Sequence, residues 1–275
     1  MTIRIAIIGC GAIGTLLSKA VDSGLVKGAR LDWVYDILPE KSENLVKKLR
    51  RRPKIASNPG QIYADRALDL VVEAASQGAV RQYAVDVLRS GKDLMVMSVG
   101  AFSDERLLER VRRTAERMGR RVYIPSGAII GIDGVKASQL GGIRSALLVT
   151  RKPPSALAYS DYLKSRGISL RELKSPRVVF DGPARKAVEA FPASVNVAAT
   201  LSLAGIGFDR TRVRVVADPT IKRNVHEIFI RGRLGTLVTQ AQNVPFPESR
   251  RTSYLAALSA IRTLQNIGES FRVGT

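Results

Sequence analysis

The chain opens with an apolar run, Ile3 to Ile8, broken only by Arg4 and ending in glycine; Arg4 to Ile8 is expected as a first strand. Apolar spacing then changes to the helical period over Ala12 to Ser23. The same exchange repeats down the first half. Leu31 to Tyr35 reads as a strand, Pro39 to Leu49 as a helix with proline at its first position, and a short strand follows near Ile55. Leu68 to Glu73, Leu94 to Met97 and Val122 to Ile124 are further strands, separated by helices over Gln77 to Arg89 and Asp104 to Met118. Strands alternating with helices of this length predict βαβ units and a parallel sheet. Their scarcity of polar alternation predicts a sheet covered on both faces.

After Pro125 the pattern changes. Ser126 to Gly134 is a glycine-rich loop leading into a short helix. Strand-like runs follow at Ala146 to Thr150, Arg177 to Phe180, Val213 to Ala217, Val225 to Arg231 and Gly235 to Gln240, with one clear helix over Val195 to Ala204. The tail from Arg250 to Leu264 is helical in pattern, with Leu255, Leu258, Ile261 and Leu264 near one face. The expected fold class is α/β: a Rossmann-type doubly wound parallel sheet, with a second α+β domain built on a largely antiparallel sheet. The expected boundaries are 1–125 for the dinucleotide-binding domain and 126–244 for a catalytic and dimerisation domain. The C-terminal helix, within 245–275, is expected to pack back on the first.

Composition narrows the classes. With 45% hydrophobic and 25% charged residues in 275, a sizeable core can form. One cysteine, Cys10, permits no internal disulfide, and no apolar run reaches the roughly 20 residues of a membrane span. A cytoplasmic protein is expected. The formal charge of +20 raises nucleic acid as a partner. Its distribution argues against it. Between Asp104 and Arg121 the arginines fall off the apolar stripe of Leu107, Leu108, Val111, Ala115 and Met118, as on a solvated helix face. The compact run Arg50-Arg51-Arg52-Pro53-Lys54 has no interleaved aromatics to stack bases. The charge is better suited to drawing in anionic substrates and cofactors.

Gly9-Cys10-Gly11-Ala12-Ile13-Gly14 is a G-x-G-x-x-G turn directly after a strand and opening a helix, and Asp36 lies 22 residues past Gly14 at the end of the second strand. Gly9 permits the tight turn, Gly11 lets a pyrophosphate approach, and Gly14 lets helix meet sheet. The amides from Ala12 and Ile13 onward would face the phosphates. Asp36 would accept from the adenosine ribose hydroxyls and disfavour a 2′-phosphate, so NAD is expected ahead of NADP, with Lys41 softening the preference. Loops Glu73-Ala74-Ala75-Ser76 and Ser98-Val99-Gly100-Ala101 follow strands at the same sheet edge. Ala75 and Ser98 would leave room for the nicotinamide ribose, and plain tight turns account for these loops equally well. His226 is the one histidine, sharing a strand face with Asn224 and Ile228. A lone histidine is structural more often than catalytic, but a dehydrogenase must move a proton near neutral pH, and imidazole suits that. With no second histidine, a His/Cys metal site is not expected.

Together these segments resemble the L-aspartate dehydrogenase family over nearly the whole chain. The glycine turn, Val72 to Gln77 and Met97 to Ala101 carry part of the resemblance. The stretches Pro125 to Asp133, Phe191 to Thr200 and Asn224 to Ile228 are its more specific part. It implies that Ala128 and Asn196 contact the nicotinamide cofactor and that His226 is the active-site residue. It further implies oxidation of L-aspartate to iminoaspartate with NAD or NADP, feeding oxaloacetate and ammonia or quinolinate and NAD synthesis, in a homodimer formed through the second domain. The stretch from Pro153 to Pro176 is longer and more polar than the pattern. Two other expectations stand beside this one: a two-domain oxidoreductase of the dihydrodipicolinate reductase or homoserine dehydrogenase type, and a non-catalytic NAD-binding sensor. The His-His pair of the reductases is absent from a chain with one histidine.

Overall fold

Six short strands, all paired in parallel, form the sheet of the first of two units in this computed structural model, which describes residues 2–158, 160–192, 196–246, 249–271 and 273–274. One unit comprises Met1–Pro125 with Ala257–Val273, the other Ser126–Ala256 with Gly274–Thr275.

In the first unit the order along the chain is β1 (Ile3–Ile8), α1 (Ala12–Asp22), β2 (Ala29–Tyr35), α2 (Pro39–Val46), β3 (Lys54–Ile55), α3 (Pro59–Ala64), β4 (Leu70–Glu73), α4 (Gln77–Arg89), β5 (Asp93–Val96), a 3-10 turn (Val99–Ser103), α5 (Glu105–Met118) and β6 (Val122–Tyr123). The strands lie in the order β3-β2-β1-β4-β5-β6, so the winding reverses between β1 and β4. Ile8 pairs with Glu73 at that reversal. In such sheets the crevice outside the strand ends at this point receives ligands. All four residues of β4 are buried, as are Ile5 to Ile8 of β1, which is why these strands carry no alternation. Each apolar side chain so buried contributes roughly 1.5–3 kcal/mol.

Helix boundaries follow local chemistry. The Ser76 hydroxyl accepts from the Ala79 amide (3.1 Å) to start α4, and Asp104 accepts from Leu107 (3.1 Å) to start α5, which ends at Gly119 in the left-handed region. On α5 the buried face is Leu107, Val111, Thr114 and Ala115. Leu108 and Met118 are only half-buried, so the stripe is narrower than expected. The Arg50 and Arg51 amides are held by the Asp22 carboxylate (2.8 and 2.9 Å), so the basic run is a tied turn after α2. The pattern gave no sign of α3, a short helix led by Pro59 with only Ile62 buried.

The second unit contains α6 (Ile132–Gly141), β7 (Ile143–Lys152), α7 (Pro154–Leu157), α8 (Asp161–Ser165), β8 (Arg177–Pro183), α9 (Ala184–Ala190), α10 (Asn196–Ala204), β9 (Thr211–Ala217), β10 (Asn224–Gly232), β11 (Gly235–Asn243), β12 (Pro245–Phe246), β13 (Ser249–Ser253) and α11 (Tyr254–Gly268), whose later turns belong to the first unit. Its five-stranded sheet has the order β11-β10-β7-β9-β8. Only the β7–β9 pair is parallel; the other three are antiparallel. Val195, expected to begin α10, lies outside the described residues. The long stretch after Pro153 forms two short helices, anchored where the Tyr162 ring meets Phe180 and Phe191 (centroids 5.9 and 5.3 Å).

The tail needs correction. Neither 245 nor Arg250 starts a helix, because Pro245–Phe246 pairs with Ser249–Ser253 as a hairpin and α11 begins only at Tyr254. From there Ala260, Ile261 and Leu264 enter the same apolar core as Ile5, Ile7 and Leu17, while Leu258 stays 41% exposed. The Gln265 side chain donates to the Leu25 carbonyl (2.9 Å).

Candidate functional site

The glycine turn forms because other residues are sterically excluded. Gly9 has φ of 103°, and a Cβ on it would lie 2.6 Å from the Ala74 backbone; a Cβ on Gly14 would lie 1.8 Å from the Gly9 carbonyl oxygen. Gly11 is different. It has ordinary backbone angles and nothing within 4 Å of where a Cβ would stand, so its glycine leaves open space. Gly11 is also the N-cap of α1, without a side-chain cap and with no acidic residue in the first turn. The first amides of that helix, those of Ala12, Ile13 and Gly14, have no intrahelical acceptor and sit at the positive end of its dipole. An uncapped helix start opening onto space is the setting a pyrophosphate requires. The residues present fit a bound dinucleotide.

Asp36 does more than wait for a ribose. Its carboxylate accepts from the Cys10 amide (2.7 Å) through one oxygen and from the Leu38 amide (3.0 Å) through the other, so it also fixes the turn. Cys10 itself is buried, its sulfur 3.5 Å from the Ser42 hydroxyl, and burial pushes its thiol up to about 11. It is a packed, unreactive side chain.

Ala75 and Ser98 are brought together by a residue the pattern did not single out. Glu73, 2% exposed at the end of β4, accepts from the amides of Ala75 (2.8 Å) and Ser76 (2.9 Å), from the Ser98 amide (3.0 Å) and from the Ser98 hydroxyl (2.9 Å). Burial raises its carboxyl above the usual range, and the donors from Ser98, Ala75 and Ser76 pull it back. Three backbone N–H groups and a hydroxyl on two oxygens form the pattern of an ionised carboxylate. A charged residue ending the otherwise apolar run Leu70-Val71-Val72 was the available signal. The loops that follow β4 and β5 are thus tied to one group.

In the second unit a polar strip crosses one face of the sheet. His226 pairs with Thr150 on β7 and Ala241 on β11, and Asn224 pairs with Asn243. Directly paired side chains share a face, as do alternate residues of one strand, so Thr150, Lys152, Asn224, His226 and Asn243 stand on the same side. All are buried, at 0%, 4%, 3%, 3% and 4% exposure, in a sheet whose other residues at those depths are nearly all aliphatic. The His226 Nδ1 is 3.1 Å from the Thr150 hydroxyl. Burial, reinforced by the Lys152 ammonium, pushes the imidazole down to about 3, so it is neutral throughout the physiological range. That departs from the expectation of an ordinary imidazole titrating near neutrality. Burial also lowers the Lys152 amine to about 8.

The glycine-rich loop lies over that same face. The Asn243 side chain donates to the Ala128 carbonyl (3.0 Å), and the Thr239 hydroxyl donates to the Ile130 carbonyl (3.3 Å). Gly131, with φ of 78°, is required there: a Cβ would meet the Thr239 methyl at 2.8 Å. Val197, next to Asn196 at the start of α10, is within 3.9 Å of the Cβ position of Gly127. Ala128 is therefore held over the sheet face that carries His226, and Asn196 begins the helix whose Val197 lies beside Gly127 of the same loop. Lys152, Thr150, Asn243 and Glu73 were not anticipated as site residues. No group of three or more metal-ligating side chains occurs among the described residues.

A family model described as aspartate dehydrogenase, C-terminal, matches residues 133–267, and one described as homoserine dehydrogenase, NAD binding domain, matches residues 9–125. An L-aspartate dehydrogenase of Methanosarcina barkeri is 46% identical over 99% of this chain and 100% of its own length. Its counterpart in Nitrosopumilus maritimus is 41% identical, covering 99% of both chains. The crystal structure of aspartate dehydrogenase from Thermotoga maritima superposes with a TM-score of 0.78 at 28% identity, covering 100% of both chains.

Proposed function

Because this chain belongs to the L-aspartate dehydrogenase family, we propose that it oxidises L-aspartate to iminoaspartate with NAD, NADP serving less well. The observation that carries the reading is kinship over essentially the full length rather than over the dinucleotide domain alone. The iminoaspartate product hydrolyses to oxaloacetate and ammonia or feeds quinolinate and NAD synthesis. NAD, when bound, accepts the hydride from the substrate carbon. In this reading residues 1–125 hold the cofactor through Gly9, Gly11, Ala12, Ile13, Gly14 and Asp36, with Ala75 and Ser98 toward its nicotinamide ribose. Residues 126–244 supply Ala128 and Asn196 to the nicotinamide and His226 to the reaction.

His226 acts as a neutral imidazole. With Nδ1 engaged by Thr150, its Nε2 is the ring atom left to hold the substrate or to orient the water that attacks the imine. A chain of charge +20 draws in an amino acid that carries two carboxylates and a net negative charge. We assign it to the cytoplasm; no helix among the described residues is long and apolar enough to cross a membrane. We also propose a homodimer through the second unit, where Val178, Leu234 and Val238 are 52%, 71% and 60% exposed. A mass of one chain in light scattering would remove that part.

The test is NADH formation with L-aspartate beside L-homoserine as control. Turnover of aspartate alone is expected; reduction of NAD by homoserine, or by neither, overturns the reading. A second measurement addresses the cofactor. Asp36→Asn removes the charge that opposes a 2′-phosphate, keeping an oxygen for the Cys10 amide and giving up the bond from the Leu38 amide, so the preference for NAD over NADP should fall on the order of tenfold. An unchanged ratio of the two kcat/KM values would place the discrimination elsewhere.

A further inference from the structure

The reading above leaves Lys152 without a role. It ends β7 two residues after Thr150, whose hydroxyl holds the His226 ring, and its amine is buried on the same sheet face, close enough for its charge to act on the imidazole. The other charged groups around it are engaged elsewhere. Arg151 and Glu227, at the intervening strand positions, point to the opposite face and pair with each other at 3.2 Å. Asp218, on the strand end beside Lys152, donates its amide to the Lys152 carbonyl (2.9 Å). Its carboxylate accepts from the Thr220 amide (2.9 Å) and hydroxyl (2.6 Å), with Arg151 at 3.7 Å. Among the described residues, Lys152 and His226 are the titratable pair of the strip.

We propose that Lys152 is the catalytic base of this dehydrogenase, its neutral amine removing a proton from the α-ammonium of the substrate. An N–H bond of the ammonium breaks and an Nζ–H bond forms. The electron pair left on the substrate nitrogen closes the C=N bond as the Cα–H bond breaks and its electron pair leaves as hydride to the bound nicotinamide. Lys152 then returns the proton to solvent. The proposal rests on the amino-acid dehydrogenase reading of the same site. His226 is unsuited to this step: an imidazole held near 3 is too weak a base to deprotonate an ammonium, whereas an amine held near 8 is matched to it. The pair also has a division of labour. Burial keeps His226 neutral whether or not Lys152 carries a proton, so the ring can hold substrate or water while the amine moves the proton.

The wild-type kcat/KM for L-aspartate should rise about tenfold per pH unit up to about 8 and level off above it. Lys152→Met, of similar length, should lose about 10²–10⁴ in kcat and lose that rising limb. Lys152→Ala should be partly rescued by added ethylamine in proportion to the free amine. Binding of succinate, an unreactive dicarboxylate, measured by calorimetry, should change less than about threefold in Lys152→Met. Lys152→Gln makes the same comparison if Met disturbs packing. A raised KM and weakened succinate binding, with kcat and inflection kept, would make Lys152 a carboxylate anchor and overturn the proposal. If wild-type protein does not oxidise aspartate, the functional reading falls as well. If wild type is active and the variants keep its pH profile, only this inference falls.

Discussion

His226→Ala is expected to lower kcat for L-aspartate by about two to four orders of magnitude while leaving the Kd for NAD within a few-fold of wild type. The residues proposed to hold the cofactor's phosphates and ribose, 9–14 and Asp36, belong to the unit that does not contain His226. What the substitution removes is a neutral ring fixed through Nδ1 to Thr150, with Nε2 as the atom left for substrate or water. Because burial holds the imidazole near 3, the loss should be nearly constant between pH 6 and 9. A base titrating near 6.5 would instead make it pH-dependent. Stability supplies a second readout. The unfolded chain binds a proton on His226 below about 6.5 and the folded chain only near 3, so folding weakens as pH falls through that window, by up to a few kcal/mol. His226→Ala should lose less stability than wild type over the same descent. Stopped-flow turnover, NAD titration and melting at several pH values check all three. A folded variant within about tenfold of wild-type kcat would remove His226 from the chemistry.

How much of this could be read from the residues depends on which force placed them. Gly9 to Gly14 and Asp36 were legible because steric exclusion and a helix start act over a few neighbouring positions. The strands of the first unit were legible because burial on both faces leaves an unbroken apolar run. The strip in the second unit was only half visible. Asn224 and His226 share a strand and so appear as a polar pair, but Thr150 and Lys152 sit 76 and 74 positions away and join them only through β7–β10 pairing. Nor did Lys152 announce itself, since one lysine among 44 basic residues is distinguished only by burial. Glu73 escaped for a similar reason: two of its four bonds go to Ser98, 25 positions on, and nothing local says that a strand-ending glutamate faces inward. The start of the tail helix was misread because the helical period carried by Leu255, Leu258, Ile261 and Leu264 says nothing of where it begins, and the residues just before it are claimed by the backbone pairing of β12 and β13.

Substituting alanine at Gly14 and at Gly11 should separate two kinds of glycine. At Gly14 the added methyl would stand 1.8 Å from the Gly9 oxygen, a backbone atom that cannot step aside without moving β1 or α1. Overpacking of that kind costs about 1–3 kcal/mol, and a displacement near 1 Å of the helix start costs on the order of 10²-fold in a function that depends on its position. Gly14→Ala should therefore lower Tm and weaken NAD binding together. Gly11→Ala meets nothing within 4 Å and has a φ of −73° that alanine adopts freely. Its Tm should stay close to wild type, since the N-cap preference for glycine over alanine, about 1 kcal/mol, is largely offset by the lower entropy that alanine gives the unfolded chain. NAD binding should nevertheless fall, because the methyl fills the space in which the pyrophosphate approaches the helix amides. Calorimetric titration with NAD, run beside thermal melting of the apo protein, tests the contrast directly. If Gly11→Ala binds NAD as wild type does, the open space at Gly11 is not where the phosphates lie, and the cradle must be sought at another edge of the sheet.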